Sequence, residues 1–314
     1  MPIMQNEVIG ILCADIHLSH TPPVWRSAEP NWYAALQRPL DEIAELQKKY
    51  KCPVFNAGDI FDKWNSPAEL INFVMNNLPN EFYSIPGQHD LPNHNISELE
   101  KSAYETLVIA GKIQNILPFG YDVFRTLNIS AFPFGVPITS CKKSKRINIA
   151  LVHQYVCTYK SDYPGAPEKS HIKYICANTK LIENKLYGYD VIIYGDNHKG
   201  FTSHVGDTVI WNCGTLMRRK SDEINYKPRV GLLFSNGVVE PYYLDQSQDK
   251  YLSAEQSKKL IEQSAIDFKK FAKELSELSD SELDFQEAWK FYVLKNNVSK
   301  EIDNIVWDAM TKDM

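Results

Sequence analysis

No stretch of this chain approaches the roughly 20 consecutive apolar residues that a membrane-spanning helix requires, so a membrane-embedded function is not expected. The opening residues, MPIMQNEVIGILCADIHL, lack the basic region and small-residue cleavage site of a secretory signal, which points to a cytoplasmic protein. Cysteine is sparse. The six residues at positions 13, 52, 141, 157, 176 and 213 form no CxxC pair, and several fall in strand-like runs, so they read as buried free thiols. Positive charge is not in excess either: 34 Lys and Arg face 39 Asp and Glu, a net charge of −5. That balance argues against a protein that coats nucleic acid, while leaving room for local basic patches beside a site. Internal repeats and low-complexity tracts are absent.

What is present is an ordinary globular composition, 44% hydrophobic and 23% charged over 314 residues. Such a chain accommodates one large α/β domain and a smaller appendage. Short apolar runs rich in β-branched residues occur at 8–18, 52–61, 81–87, 147–153 and 190–195, each ending in polar residues as buried strands do. Helical patterns lie between them, with capping boxes read at Ser66-Pro67-Ala68-Glu69 and Ser97-Glu98-Leu99-Glu100, the second opening a helix that stops at Gly111. After about residue 200 the pattern becomes hairpins, turning at Val205-Gly206-Asp207 and Ser235-Asn236-Gly237. The expected boundary follows residue 245. In 246–314, Ser253 caps a helix with Ile261, Phe268, Phe271, Leu275 and Leu278 at helical spacing, and two shorter helices follow. This tail holds 14 acidic and 10 basic residues, so most of the net negative charge sits there, and it is poorly suited to gripping phosphates.

The polar strand ends carry the chemistry. In order they are Asp15-x-His17, Gly58-Asp59-x-x-Asp62, Gly87-Gln88-His89-Asp90, His153, and Gly195-Asp196-Asn197-His198. Open α/β sheets place their sites at the carboxyl ends of strands. A pair of divalent cations needs a carboxylate able to bridge them, with imidazoles and further oxygens completing each shell. A separate imidazole can then serve the reacting phosphate.

Five such pieces in this order resemble the calcineurin-like metallophosphoesterases, whose pattern is DxH, GDxxD, GNH[DE], H, GHxH. The resemblance covers about residues 8–235. Asp15-Ile16-His17-Leu18, Gly58-Asp59-Ile60-Phe61-Asp62, Leu151-Val152-His153-Gln154 and Asn212-Cys213-Gly214-Thr215 are similar to the SbcD family of DNA repair exonucleases. Lys63 and Asp90 stand where Ser/Thr phosphatases carry Arg and Glu.

The resemblance implies a four-layer α/β/β/α sandwich with a small helical appendage, and two divalent metal ions, manganese first. It assigns one ion to Asp15, His17, Asp59 and His198, and the second to Asp59, Gln88, His153 and Asp196. His89 becomes the catalytic imidazole, Asp90 its orienting partner, and Asp62 a support. Two positions depart from the pattern, Gln88 for Asn and Asp196 for His; both retain a metal-binding oxygen, and the added carboxylate favours hard cations.

DNA is the expected substrate. Basic clusters at Lys142, Lys143, Lys145, Arg146 and at Arg218, Arg219, Lys220 are candidate phosphate contacts. The long segment from His153 to Asn178 suits a lid or binding loop, and His20, His94, His171 and His204 are taken as non-ligands. The helical tail is expected either to pack on its own domain as a cap or to dock on a partner, which the resemblance implies would be an SbcC-type ATPase. Proteins resembling SbcD also commonly form homodimers, though no patch in the sequence identifies one. A phosphatase or phosphodiesterase acting on a small nucleotide or phosphoprotein, and a non-catalytic metal-binding interaction protein, are the alternatives.

Overall fold

The computed structural model of the chain describes residues 6–116, 122–124, 127–157, 173–174, 186–253, 255–260, 285–296 and 298–311. It divides into two compact units, Met1–Tyr251 and Leu252–Met314. In the first unit the strands are, in chain order, β1 (Val8–Cys13), β2 (Val54–Asn56), β3 (Phe82–Ser84), β4 (Gln114–Asn115), β5 (Asp122–Phe124), β6 (Leu127–Phe132), β7 (Ile147–His153), β8 (Val156–Cys157), β9 (Lys173–Tyr174), β10 (Val191–Gly195), β11 (Phe201–Val205), β12 (Thr208–Asn212), β13 (Arg229–Phe234) and β14 (Val239–Tyr243). Helices α1 (Trp32–Tyr50), α2 (Ala68–Asn77) and α3 (Ala103–Ile109) connect the early strands.

Two six-stranded sheets result, ordered β14-β13-β1-β2-β3-β4 and β11-β12-β10-β7-β6-β5. The strands β1, β2, β3 and β4 run parallel, as do β6, β7, β10 and β12, with antiparallel pairs at the sheet edges. Alternation along the strands explains the layers. Leu12, Phe55 and Leu233 of one sheet meet Ile129, Leu151, Ile193 and Trp211 of the other in a single buried cluster, so the sheets pack face to face. The intervening residues Ile11, Cys13 and Val54 point the other way, onto Leu36, Leu40 and Ile43 of α1, Leu70 and Val74 of α2, and Tyr104 and Leu107 of α3. Ala150, Val152, Ile192 and Ile210 on the far face of the second sheet pack with Ile138, Leu186 and Tyr189. Burying each large apolar side chain in these layers contributes roughly 1.5–3 kcal/mol.

Both hairpins form as read, with Val205 paired to Thr208 and Leu233 to Val239. The helix starts differ. The Ser66 hydroxyl donates to Lys63 O at 2.8 Å, and α2 begins after Pro67 with no side-chain cap. Ser97 donates its hydroxyl to Asn95 Oδ1 at 2.9 Å, and Ile96–Lys101 forms a 3-10 segment. The cap of α3 is Ser102, whose Oγ accepts from Glu105 N at 3.1 Å.

In the second unit, Ser253 Oγ accepts from Gln256 N at 3.1 Å and Gln256 Oε1 accepts from Ser253 N at 2.9 Å, a reciprocal cap for the helical residues 255–260. Helices Phe285–Asn296 and Lys300–Thr311 follow, linked by Trp289 Nε1 donating to Asp303 Oδ1 at 2.7 Å. The apolar series Ile261 to Leu278, His171, and 158–172 and 175–178 of the expected lid lie outside the described residues.

Candidate metal centre

The parallel cores of both sheets aim their carboxyl ends at one place. The loops after β1 and β2 continue the strand pairing: Ala57 N donates to Cys13 O at 2.9 Å, Asp15 N to Gly58 O at 3.0 Å, His17 N to Asp59 O at 3.1 Å and Leu18 N to Ile60 O at 2.8 Å. This zipper brings the DxH and GDxxD motifs together. Asp15, His17, Asp59 and Asp196 have φ of 52°, 49°, 56° and 86°, a left-handed cluster that costs about 1–3 kcal/mol per residue where nothing else imposes it. Gly58, at φ 101°, has no alternative, because a Cβ there would strike the His153 ring.

Other loops are tied to these two. His153 Nδ1 donates to Ala57 O at 2.6 Å. Asp196 N donates to both Asp15 carboxylate oxygens at 2.9 and 3.1 Å. Thr215 Oγ1 donates to Asp15 O at 2.9 Å, while Thr215 N donates to His198 O at 3.1 Å.

Three groups of side chains present ligand atoms within 4.8 Å of one another: Asp15, His17 and His198; His17, Asp59 and His89; Asp15, Asp59 and His153. The groups overlap at Asp15, His17 and Asp59, all buried. His17 Nε2 and His198 Nε2 lie 2.9 Å apart. Asp59 Oδ2 is 3.3 Å from His153 Nε2 and 3.7 Å from His17 Nε2, and it has no hydrogen-bond partner among the described residues. Buried acceptors normally find donors. An orphaned carboxylate oxygen between two imidazoles, beside a pair of facing imidazole nitrogens, is the donor set of a cation site, and these residues fit a divalent pair. Electrostatics agree. Burial and the neighbouring Asp59 raise the Asp15 carboxyl to about 6, although His153 and His198 pull it down. Burial disfavours the charged His153 ring, yet Asp59, Asp15 and Asp196 raise it to about 10. The Asp59 carboxyl goes the other way: burial would raise it, but His153 and His89 hold it below the usual carboxylate value.

The calcineurin-like phosphoesterase family profile matches residues 11–200, the stretch that holds all of these ligand atoms. The chain belongs to the calcineurin-like phosphoesterases. Among curated proteins, the DNA double-strand break repair protein Mre11 of Methanosarcina mazei is 22% identical over 236 residues, covering 70% of this chain and 35% of that protein, so the chain spans about a third of its relative's length. Solved structures that align with this phosphoesterase include an archaeal phosphodiesterase, at 14% identity and a TM-score of 0.36 over 77% of this chain and 96% of that one. Another is the sulfate thiohydrolase SoxB from Thermus thermophilus, at 11% identity and a TM-score of 0.45 over 80% and 59%.

Several residues of this calcineurin-like phosphoesterase stand elsewhere than the sequence reading placed them. Asp90 does not hold the His89 ring. Its carboxylate accepts from Ile60 N at 3.2 Å, Phe61 N at 3.0 Å and Gly87 N at 3.0 Å, binding the third loop to the second. The ring of His89 is set instead by Asp62, whose backbone oxygen lies 2.8 Å from Nδ1. Arg219 is buried and spent on structure, donating to His17 O and, at 2.7 Å, to Asp62 Oδ1. Arg218 donates through Nε to Tyr226 O at 2.6 Å. Lys143 and Lys145 are exposed, but they precede β7, whose far end bears His153. Seven strand residues put about 20 Å between them and the cluster, because the loop belongs to the amino-terminal edge of the sheet. Asp196 is in none of the three groups, whereas His89 shares one with His17 and Asp59.

Glu223 was not foreseen. Its Oε1 lies 3.4 Å from His198 Nδ1, and its Oε2 accepts from Arg219 N at 2.6 Å and Lys220 N at 3.1 Å. A carboxylate behind a ligating imidazole fixes its tautomer and raises its basicity. No spacing rule links Glu223 to His198 across 25 residues; the 3-10 turn Ser221–Glu223 carries the carboxylate to it. Glu223→Gln is expected to weaken Mn²⁺ at the His198 position about 10–100-fold, read by calorimetric titration, with the remaining cation held as before.

Proposed function

We propose that this chain is a two-metal phosphodiesterase acting on DNA, with Asp15, His17, Asp59 and His198 around one cation and Asp59, Gln88 and His153 around the other. The observation that carries the reading is Asp59, a buried carboxylate facing an imidazole of each group. When bound, two divalent cations activate a water and neutralise charge on the phosphoryl oxygens. The chain's residues supply the rest. His89, with Nδ1 held by Asp62 O, has Nε2 left to hold a proton against a phosphoryl or leaving oxygen. Arg219 and Asp62 keep His17 and His89 in register. Two carboxylates, one amide oxygen and three imidazoles make a mixed donor set, whose oxygens suit Mn²⁺.

DNA is supported by the Mre11 relative and by the SbcD-like motifs. With Arg219 buried and Lys143 and Lys145 remote, the phosphate contacts pass to exposed Lys63, Lys199 and Lys220, which lie on the loops that carry the site. An SbcC-type ATPase partner, a homodimer and a cytoplasmic setting belong to the same reading. One observation favours a small nucleotide instead. A cavity of about 230 Å³, lined by Ser19, His20, Thr21, Asp62, Lys63 and Asn65 among others, is smaller than the roughly 300–1,000 Å³ of sites that enclose a whole drug-sized ligand and has room for part of a nucleotide.

Manganese-dependent degradation of end-labelled linear duplex and single-stranded DNA decides between them. Release of nucleotides, weakening steeply with salt, is the expected result. Indifference to DNA with turnover of a nucleotide diester would move the assignment to a small substrate. Metal binding without hydrolysis of either would mark a non-catalytic interaction protein.

A further inference from the structure

We propose that Asp196 is a positioning residue: it turns the Gln88 amide so that the carbonyl oxygen faces the second cation position, and the two side chains work as one unit. The inference rests on the metal-centre reading above and is independent of which phosphoester is cleaved.

Gln88 Nε2 donates to Asp196 Oδ1 at 2.7 Å, and Gln88 Oε1 lies 2.9 Å from His153 Nε2. The amide could in principle sit either way round. A carboxylate has only acceptors to offer, so the reversed amide would set two oxygens against each other at Asp196. The –NH2 must therefore face Asp196, and Oε1 must face His153. The His153 ring is fixed as well, since Nδ1 donates to Ala57 O at 2.6 Å and Nε2 is the nitrogen turned to Gln88 Oε1, where its proton would give way to a bound cation. Asp59 Oδ2 stands 3.3 Å from that same nitrogen. Three donor atoms, from His153, Gln88 and Asp59, thus converge, while Asp196 Oδ1 is engaged with the amide.

Asp196 is itself held from behind. Its backbone N–H donates to both oxygens of Asp15, and its φ of 86° is maintained by that contact. The two departures from the family pattern then have one explanation. Glutamine has one more torsion than asparagine and a freer amide, so it needs an acceptor to order it. Aspartate at 196 is that acceptor, which an imidazole used as a cation ligand would not be.

The test is Mn²⁺ titration of the full chain, by calorimetry and by electron paramagnetic resonance, without substrate. Asp196→Asn keeps an acceptor oxygen and should hold the second Mn²⁺ within about threefold of wild type, whereas Asp196→Ala should weaken it about 10–100-fold, the usual effect of losing such a partner. Gln88→Met should weaken it too, and adding Asp196→Ala to Gln88→Met should cause no further loss, because the aspartate acts only through the amide. Equal losses in Asp196→Asn and Asp196→Ala would overturn the proposal and make Asp196 a ligand by charge. So would losses that multiply in the double variant. Should Asp196→Ala fail to fold, Asp196→Asn alone decides: a loss of about tenfold or more, the range for a lost partner, overturns the proposal. Failure of wild type to bind Mn²⁺ would overturn it by removing the metal centre itself, an outcome separable from the variants.

Discussion

Replacing His89 by alanine should lower phosphodiester hydrolysis about 10²–10⁴-fold, the range for a positioned general acid or base, while both Mn²⁺ ions stay bound. His89 is half-buried at the edge of the cluster, its ring edge-on to His17 with centroids 4.8 Å apart. Its backbone N–H donates to Asp59 Oδ1 at 2.9 Å, a contact that alanine preserves, so the bridging carboxylate keeps its orientation. What alanine removes is the ring, whose Nδ1 is committed to the backbone oxygen of Asp62 and whose Nε2 is left for chemistry. His89 also lies within reach of His17 and Asp59 as a possible third ligand, and metal stoichiometry separates the roles. Loss of an ion in His89→Ala would make it a ligand; a near wild-type rate would remove it from the reaction.

The strand ends were legible because the signal is local. A polar triplet closing an apolar run needs no tertiary knowledge, and Asp15, His17, Asp59, His153 and His198 do meet in the fold. The basic residues misled for a physical reason. Sequence reveals that Lys145 is near His153 in number, but a strand separates its two ends by its full length, so neighbours in sequence become opposite edges of the sheet. Arg219 illustrates another limit. Nothing in its neighbours distinguishes a surface cation from one drawn inward, and its burial is decided by the His17 carbonyl and Asp62, both more than 150 residues away. The resemblance implies that Asp90 orients the adjacent ring, yet three backbone N–H groups in two loops take its carboxylate. Ser66 and Ser97 both matched a capping box and both gave their hydroxyls to nearer acceptors instead.

Asp59→Asn should abolish the binding of both cations and, with them, hydrolysis, a loss larger than the roughly 10–100-fold expected for any outer partner. The two carboxylate oxygens of Asp59 have separate roles. Oδ1 accepts from His89 N, and the asparagine carbonyl can keep that bond, so the loop should hold its shape. Oδ2 is the orphaned atom between His153 and His17. In asparagine this place is taken by –NH2, which repels a cation and has no lone pair to offer one. The variant therefore presents donor hydrogens where the wild type presents a ligand, and the protein should fold without responding to metal. Thermal unfolding checks this without any substrate. A ligand at 100 times its Kd adds about 2.7 kcal/mol to the folded state, so added Mn²⁺ should raise the wild-type midpoint and leave that of Asp59→Asn unchanged. A variant whose midpoint still climbs with Mn²⁺ would show that Asp15, His153 and His198 hold a cation without a shared carboxylate, and Asp59 would lose its place at the centre of the site.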